Sequence, residues 1–560
     1  MAITRADTLL TPELIEKYTA AGYWTDTTLA DMFRRNAREL PDKIAYVDDR
    51  SEITWGALWR ISGEVASGLA HRGVRRGDVV AVQLPNRLEF VYVLAAVVRL
   101  GAVFCQFPPD YRARELEFIL RFSEAHTLVV PDRFRAFDHV EMIDGIRSRL
   151  PELVNTVVVP TGESQAAFDK STWATLDQIR EDPDPADRAP DRPSGANDVM
   201  RIAFTSGTTG EPKAVMHTAN TTLFTIQREI DERGVDGDST ILVLLPVGLN
   251  AGFFAIVETA IAGARAVLME KFHPTATLDL VERYAVTTFL AAPTALIAIL
   301  AEESLGDRDL SSLTVVQTGG SSTPGKVLQE ANERLGCPVV DLYGMLESGL
   351  TSCTSQEESY EEWVGTVGRP YPWQHVRVLD ADDADVPTGT EGEIVKTGPT
   401  IMVGYYRNPE KNAESWTADG WFRSGDRGYL DAAGRLTISG RSKDMIIHGG
   451  ANIWPREIEE VLAKHPDVAE VAMVGVPDDY FGENVCACVI PRPGTGLTLE
   501  DVIAFMKNDV AKYKLPQHLE LFEAFPLGPT GKVLKRELTE QVKTRRTASA
   551  SATHQERSPR

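Results

Sequence analysis

The sequence predicts an α/β protein: a large N-terminal domain of layered sheets and helices in several subdomains, then a small α+β C-terminal domain. Three observations carry this. The chain has 560 residues, enough for several units of about 150 residues or for one large domain and a small one. Helix and strand signals alternate up to about Pro293, which argues for layers of both kinds rather than an all-helix or all-strand protein. After a stretch rich in Gly and charge, the final segment carries a helix and strand pattern sufficient to itself.

In order along the chain, "TLADMFRRNARELPDK" spaces Leu29, Met32 and Phe33 as a helix that stops at Pro41. "IAYVDD" and "VVAVQLP" read as strands around it. "FVYVLAAVVRLGAVFCQF" is the most apolar run, but Arg99 interrupts it and Pro108 ends it, so no membrane span is expected. An acidic, proline-rich loop, "EDPDPADRAPDRPSGAN", precedes the strand "VMRIAF", which delivers the chain into "TSGTTGEPK", Thr205 to Lys213. Much later, "SGDRGYLDAAGRLTISGRSKDMIIHGG" breaks into short strand-like pieces. A boundary is expected near Arg441 to Asp444, giving domains 1–442 and 443–542. Pro455 opens a helix with Ile458, Val461 and Leu462 on one face, "EVAMVGV" and "VCACVI" follow as strands, and Thr498 caps a helix with Asp501 three residues on and Val502, Phe505 and Met506 inward. The tail 543–560 is nearly free of apolar residues and is expected to be disordered.

Composition is that of a soluble globular enzyme, 43% hydrophobic and 25% charged. The net charge of −23 argues against nucleic acid as a partner, because neutralising its phosphates needs a basic surface. A single nucleotide needs only a few local donors. Five scattered cysteines give no disulfide framework. Cys486 and Cys488, one residue apart on a strand, read as buried thiols facing one side rather than as metal ligands. No basic segment followed by an apolar run opens the chain, so a reducing cytoplasmic location is the expectation.

"TSGTTGEPK" has the chemistry of a phosphate loop. Thr205, Ser206, Thr208 and Thr209 offer hydroxyl donors, Gly207 and Gly210 let backbone amides turn toward an anion, and Lys213 adds a mobile charge. It is not the G-x-x-x-x-G-K-[ST] loop, because Glu211 and Pro212 separate Gly210 from Lys213 and Ala214 follows.

Four further stretches stand in order behind it: "YGMLESG" from Tyr343, "SGDRGYLDAAGRLTISGR", "GGANIWPREIEEVL" and "PTGKVLKREL". Together, from about Tyr23 to Leu538, the chain resembles the adenylate-forming superfamily: acyl- and aryl-CoA ligases, aryl-acid adenylating enzymes, peptide-synthetase adenylation domains and luciferases. The resemblance implies a two-step reaction. A carboxylate attacks the α-phosphate of ATP, releasing pyrophosphate and leaving an acyl-adenylate; a thiol then attacks the acyl carbonyl and releases AMP. The first step needs charge neutralisation around a crowded phosphoryl centre rather than a protein nucleophile.

The same resemblance implies the roles. Thr205–Lys213 would hold the β- and γ-phosphates. Glu347 matches the carboxylate that binds Mg2+, a cation that prefers hard oxygen ligands. Gly319 and Gly320 match the turn beside adenine, Tyr343 the ring stacked on it, and Gly344 the position next in that motif. Asp426 matches the acceptor of the ribose hydroxyls, with Arg441 facing ribose or phosphate. Lys532 matches the lysine that bridges carboxylate and α-phosphate, so Lys532 and Glu347 are the catalytic candidates. Lys443 matches the hinge about which a mobile C-terminal domain rotates between the two steps, bringing Gly449 and Gly450 in to line the thiol channel.

Two departures bear on substrate. Leu346 replaces the usual Thr of the "YGMTE" pattern, and Leu249 stands where many members have His. Asn250 follows, as in the aryl-acid branch of siderophore pathways. The resemblance therefore implies an aromatic or cyclic carboxylate, with medium-chain acids as an option, between Asn250 and Leu350. CoA is the expected thiol, since no carrier domain follows Lys532. A carrier-protein phosphopantetheine is the alternative acceptor. A luciferase-like oxygen chemistry and a non-enzymatic nucleotide-binding module stay open but are less favoured. The sequence leaves the oligomeric state open, homodimer included.

Overall fold

The most apolar stretch folds as the helix Leu88–Leu100, followed at once by the strand Val103–Gln106. The helix is buried nearly all round, which is why its apolar residues run on instead of forming a stripe. Gly101 ends it in the left-handed conformation, φ 69°. Arg99, the break in the apolar run, lies over the Trp59 ring at 3.7 Å and donates to the Trp59 carbonyl at 2.6 Å. Among the described residues no helix is long and apolar enough to cross a membrane.

The structure is a computed structural model that describes residues 2–162, 168–181, 194–205, 212–320, 323, 325–355, 358, 360–441, 446–453, 455–526, 533 and 535–555. The chain divides into two units. The first comprises Met1–Pro109, Leu116–Thr205 and Lys213–Gly440, and the second chiefly Arg441–Arg560.

Two large sheets dominate the first unit. One has seven strands in the order Lys213–Thr218, Val199–Thr205, Val103–Gln106, Val79–Val82, Thr127–Pro131, Asn155–Val159 and Trp173–Thr175. All its neighbours are parallel except the first pair. The other has nine strands, with a parallel centre that includes Thr240–Val243, Thr288–Ala291, Val315–Gly319 and Val339–Met345. The hairpin Val339–Met345/Gly349–Cys353 adds an antiparallel edge. Helices Trp55–His71, Leu88–Leu100 and Asn250–Ala262 share one core with strands of both sheets, including Val80, Phe104, Ile241 and Ala266. Parallel strands buried on both faces explain the near-continuous Val/Ile/Leu runs. The unit also holds a sheet of four strands, His375–Leu379, Gly392–Thr397, Phe422–Leu430 and Leu436–Arg441, and a two-stranded one, Arg133–Phe134 with Phe137–Asp138.

In the second unit the helix Pro455–Leu462 buries Ile458, Val461 and Leu462. Strands Val468–Asp478 and Gly482–Pro491 pair antiparallel, with Val474 opposite Cys486 and Ala472 opposite Cys488. Both thiols are buried on one face, beside Phe522 and Phe525. Thr498 and Asp501 form a reciprocal capping box on Leu499–Met506, which buries Val502 and Met506 and leaves Phe505 half-buried. One expectation is corrected: residues 543–555 continue the helix Lys535–Gln555 rather than forming an irregular tail. Leu538 and Val542 anchor its start in the core. Beyond them Lys, Arg, Ala and Gln propagate a helix without needing an apolar face.

Candidate active site

The strand Val199–Thr205 and the strand Lys213–Thr218 pair antiparallel, with Thr205 directly opposite Lys213. The two ends of the phosphate-loop motif are thus held side by side. Ser206, Gly207, Thr208, Thr209 and Gly210 lie outside the described residues. The Lys213 ammonium sits 5.4 Å from the centre of the Tyr405 ring. The Tyr405 hydroxyl donates to Glu347 Oε1 at 3.1 Å, and Glu347 is buried. Burial and the neighbouring Glu347 charge push the Tyr405 hydroxyl pKa up, so it stays a donor at neutral pH. Lys213, Tyr405 and Glu347 therefore form one connected group, although 192 residues separate the first two in sequence (405 − 213).

A second group stands on the same unit. Val315–Gly319 runs parallel to Val339–Met345, which sets Gly319 opposite Leu342 and next to Tyr343. A Cβ on Gly319 would meet the Leu342 carbonyl oxygen at 2.8 Å, and Gly320 has φ 87°. A side chain fits neither position without strain. The Tyr343 hydroxyl donates to Asp426 Oδ2 at 2.5 Å. Asp426 is buried in the strand Phe422–Leu430. Lys396, fully buried, stands 4.1 Å from the Tyr343 ring centre and donates to Thr351 Oγ1 at 3.0 Å. Gly344 pairs opposite Leu350. Leu350 packs against Phe224, Tyr371 and Trp373.

A third group surrounds the start of the helix Asn250–Ala262. Asn250 Oδ1 accepts from Arg201 Nη2 at 2.7 Å. Leu249, its N-cap, is 43% exposed. Arg201 is fully buried and directly opposite His217 across the strand pair. Burial, then the Arg201 charge, drives His217 down to about 3, against the pull of the Leu346 carbonyl. The ring is therefore neutral. Because a carbonyl can only accept, Nε2–H donates to Leu346 O at 2.7 Å, and Nδ1 accepts from Thr221 Oγ1 at 3.0 Å. Leu346, where the resembling motif has Thr, is thus held through its backbone.

The remaining expected residues belong to the second unit or are not described. Gly449 and Gly450 turn the chain between the strands Ile446–His448 and Ala451–Ile453 in the second unit, with φ 55° and 81°. Arg441 ends the strand Leu436–Arg441, and its side chain is outside the described residues. Lys443 and Lys532 lie outside them as well.

The profile of the AMP-binding enzyme matches residues 33–406, and that of the AMP-binding enzyme C-terminal domain matches residues 457–532. The chain belongs to the AMP-binding enzyme family. It is 32% identical to a medium-chain fatty-acid–CoA ligase of Escherichia coli, over 95% of this chain and 93% of that one. It is equally 32% identical to a 2,3-dihydroxybenzoate-AMP ligase of Bacillus subtilis, over 95% and 96%. Among solved structures it resembles the amide bond synthetase McbA from Marinactinospora thermotolerans, at TM-score 0.80 and 26% identity, over 92% and 99% of the two chains. The adenylate-forming resemblance and the expected fold class are both borne out.

In this AMP-binding enzyme the sequence motifs missed four residues: Arg201, His217, Lys396 and Tyr405. One signal was present. Arg201 interrupts "VMRIAF" at an alternating position shared with Val199 and Ala203, and a charge on a buried strand face is rare. The other three are ordinary in sequence and gain meaning only from what the fold sets beside them.

Proposed function

We propose that this AMP-binding enzyme is an ATP-dependent ligase that activates an aromatic or cyclic carboxylic acid as acyl-AMP, releases pyrophosphate, and transfers the acyl group to CoA. That it is an AMP-forming acid–thiol ligase follows from its family; the acid class, the acceptor and the residue roles are our reading. The observation that carries the reading is the meeting of three motif groups on one unit: Thr205 and Lys213, Tyr343 and Glu347, and Asp426. Asp426 accepts the ribose hydroxyls, and Tyr343, freed from it, lies against adenine beside Gly319, Gly320 and Gly344. Lys213 and the hydroxyls and amides from Thr205 to Gly210 neutralise the β- and γ-phosphates as pyrophosphate leaves.

Glu347 fits Mg2+. One oxygen is oriented by Tyr405, and among the described residues no cluster of three or more His, Cys, Asp or Glu side chains offers a transition-metal cage. A single carboxylate completed by phosphate oxygens is the pattern Mg2+ favours. When bound, the ion would offset charge on the phosphates. Lys532 orients the acid carboxylate against the α-phosphate, Arg441 reaches ribose or phosphate, Lys443 is the hinge, and Gly449 and Gly450 line the thiol path. The acid lies between Asn250 and Leu350. A cytoplasmic location, where ATP and CoA are found, accompanies this reading.

The acid class is tested by acid-dependent ATP–pyrophosphate exchange over a panel of benzoates, cyclic acids and linear fatty acids. Benzoate-type or cyclic acids should give the higher kcat/KM. A panel led by long linear acids would overturn the class while leaving the adenylation chemistry in place.

A further inference from the structure

Arg201 is a buried charge with no carboxylate against its side chain among the described residues. Its side chain is fully buried on the strand that leads into the phosphate-loop motif. Among the described residues its side-chain contacts are neutral: Nη2 donates to Asn250 Oδ1 at 2.7 Å, and the guanidinium lies 4.4 Å from the Phe253 ring centre and 5.3 Å from the Phe254 ring centre. Nε and Nη1 are buried and have no hydrogen-bond partner among the described residues. Burial draws its pKa down to about 9, which leaves it charged at neutral pH. Aromatic faces offset part of a buried cation's cost but do not replace an anion.

The hydrogen bond to Asn250 has a chemical consequence. Guanidinium only donates, so the Asn250 amide must turn its oxygen toward Arg201. Its Nδ2 is then directed elsewhere, and among the described residues it donates to no group. Asn250 is also the first residue of the helix Asn250–Ala262, whose N-cap Leu249 provides no side-chain cap. The start of a helix also carries a partial positive charge. The start of this helix thus carries the Asn250 side-chain donor, and the cation that orients it is buried.

We propose that Arg201 sets the polarity of the acid pocket by locking Asn250 as a donor, so that the preferred acid carries an oxygen acceptor facing the start of this helix. A phenolic oxygen or a second carboxylate satisfies that donor. An aromatic amine does not, because its hydrogens face donors and its lone pair is delocalised into the ring. This rests on the reading of Asn250 as part of the acid pocket. Arg201 acts through Asn250 and is a positioning residue.

The test is a matched series of benzoates, unsubstituted, hydroxy, carboxy and amino at the ortho and meta positions, assayed by pyrophosphate release for wild type, Arg201→Met and Arg201→Lys. In wild type the best hydroxy or carboxy acid should exceed its amino counterpart by about tenfold or more in kcat/KM, the difference between a buried amide donor satisfied and one left unpaired. Arg201→Met frees the Asn250 amide to turn, so the hydroxy-to-amino ratio should fall several-fold, and Arg201→Lys should retain part of it. A purely structural role would lower all rates together and leave that ratio where it was, which would overturn the proposal. Equal or better use of the amino acids by wild type would overturn it too, whether or not the Met variant folds. If linear fatty acids outrun every benzoate, the aromatic reading falls and takes this proposal with it; a flat ratio among well-used benzoates removes the proposal alone.

Discussion

The Tyr343 hydroxyl donates to the Asp426 carboxylate at 2.5 Å, joining two motifs 83 residues apart. The bond occupies the acceptor that the proposed function gives to ribose, so nucleotide binding must exchange one hydroxyl donor for others. Asp426→Asn keeps the shape and removes the charge. It should raise the KM for ATP roughly 10- to 100-fold, the worth of hydrogen bonds to a charged group. Isotopic ATP–pyrophosphate exchange at varied ATP measures this, and an unchanged KM would remove Asp426 from the nucleotide site.

Lys532→Ala should cripple adenylation and spare transfer from a supplied acyl-adenylate. Loss of one preorganised positive donor costs on the order of 10²–10³ in rate by analogy with oxyanion donors. Separate assays of the two half-reactions are required, and equal losses in both would refute a lysine that serves only the first.

Lys443→Pro should show the opposite split. Proline holds φ near about −65°, so a hinge fixed in the adenylating pose would still release pyrophosphate and would transfer poorly to thiol. Thioester formation at the wild-type rate would mean that the chain does not turn at Lys443.

His217 gives a pH signature. In the unfolded chain its ring titrates near about 6.5, and in the folded chain burial and Arg201 hold it down to about 3. Between these values the unfolded state binds a proton that the folded state refuses. The contribution to stability is full above about pH 6.5 and is lost as pH falls toward 3. His217→Gln keeps a donor for Leu346 and an acceptor for Thr221 without titrating. Thermal melts from pH 7 to pH 4 should therefore show wild-type Tm falling more steeply than that of the variant. Parallel curves would contradict a neutral buried His217.

The layered α/β architecture was legible because local signals carry it: capping at Thr498, the Pro41 stop, and buried parallel strands written as apolar runs. The motifs assigned to the nucleotide in the proposed function were legible because each is contiguous in sequence. Tyr405, Lys396 and His217 were not, since their places depend on contacts between distant segments, as when Tyr405 reaches Glu347 and His217 reaches the Leu346 carbonyl. The helix at 543–555 was missed for a different reason: disorder was inferred from the lack of apolar residues, and a helix anchored at Leu538 and Val542 does not need them further on.

The most direct test of the ligase assignment is the fate of the acyl group. Purified enzyme with ATP, Mg2+, a benzoate-type acid and CoA is followed for pyrophosphate, AMP and acyl product by mass. The account predicts AMP formation that depends on CoA, with an acyl-CoA thioester accumulating in equal amount. Pyrophosphate release without any acyl-CoA, together with acylation of a phosphopantetheine-bearing carrier protein supplied in its place, would contradict it.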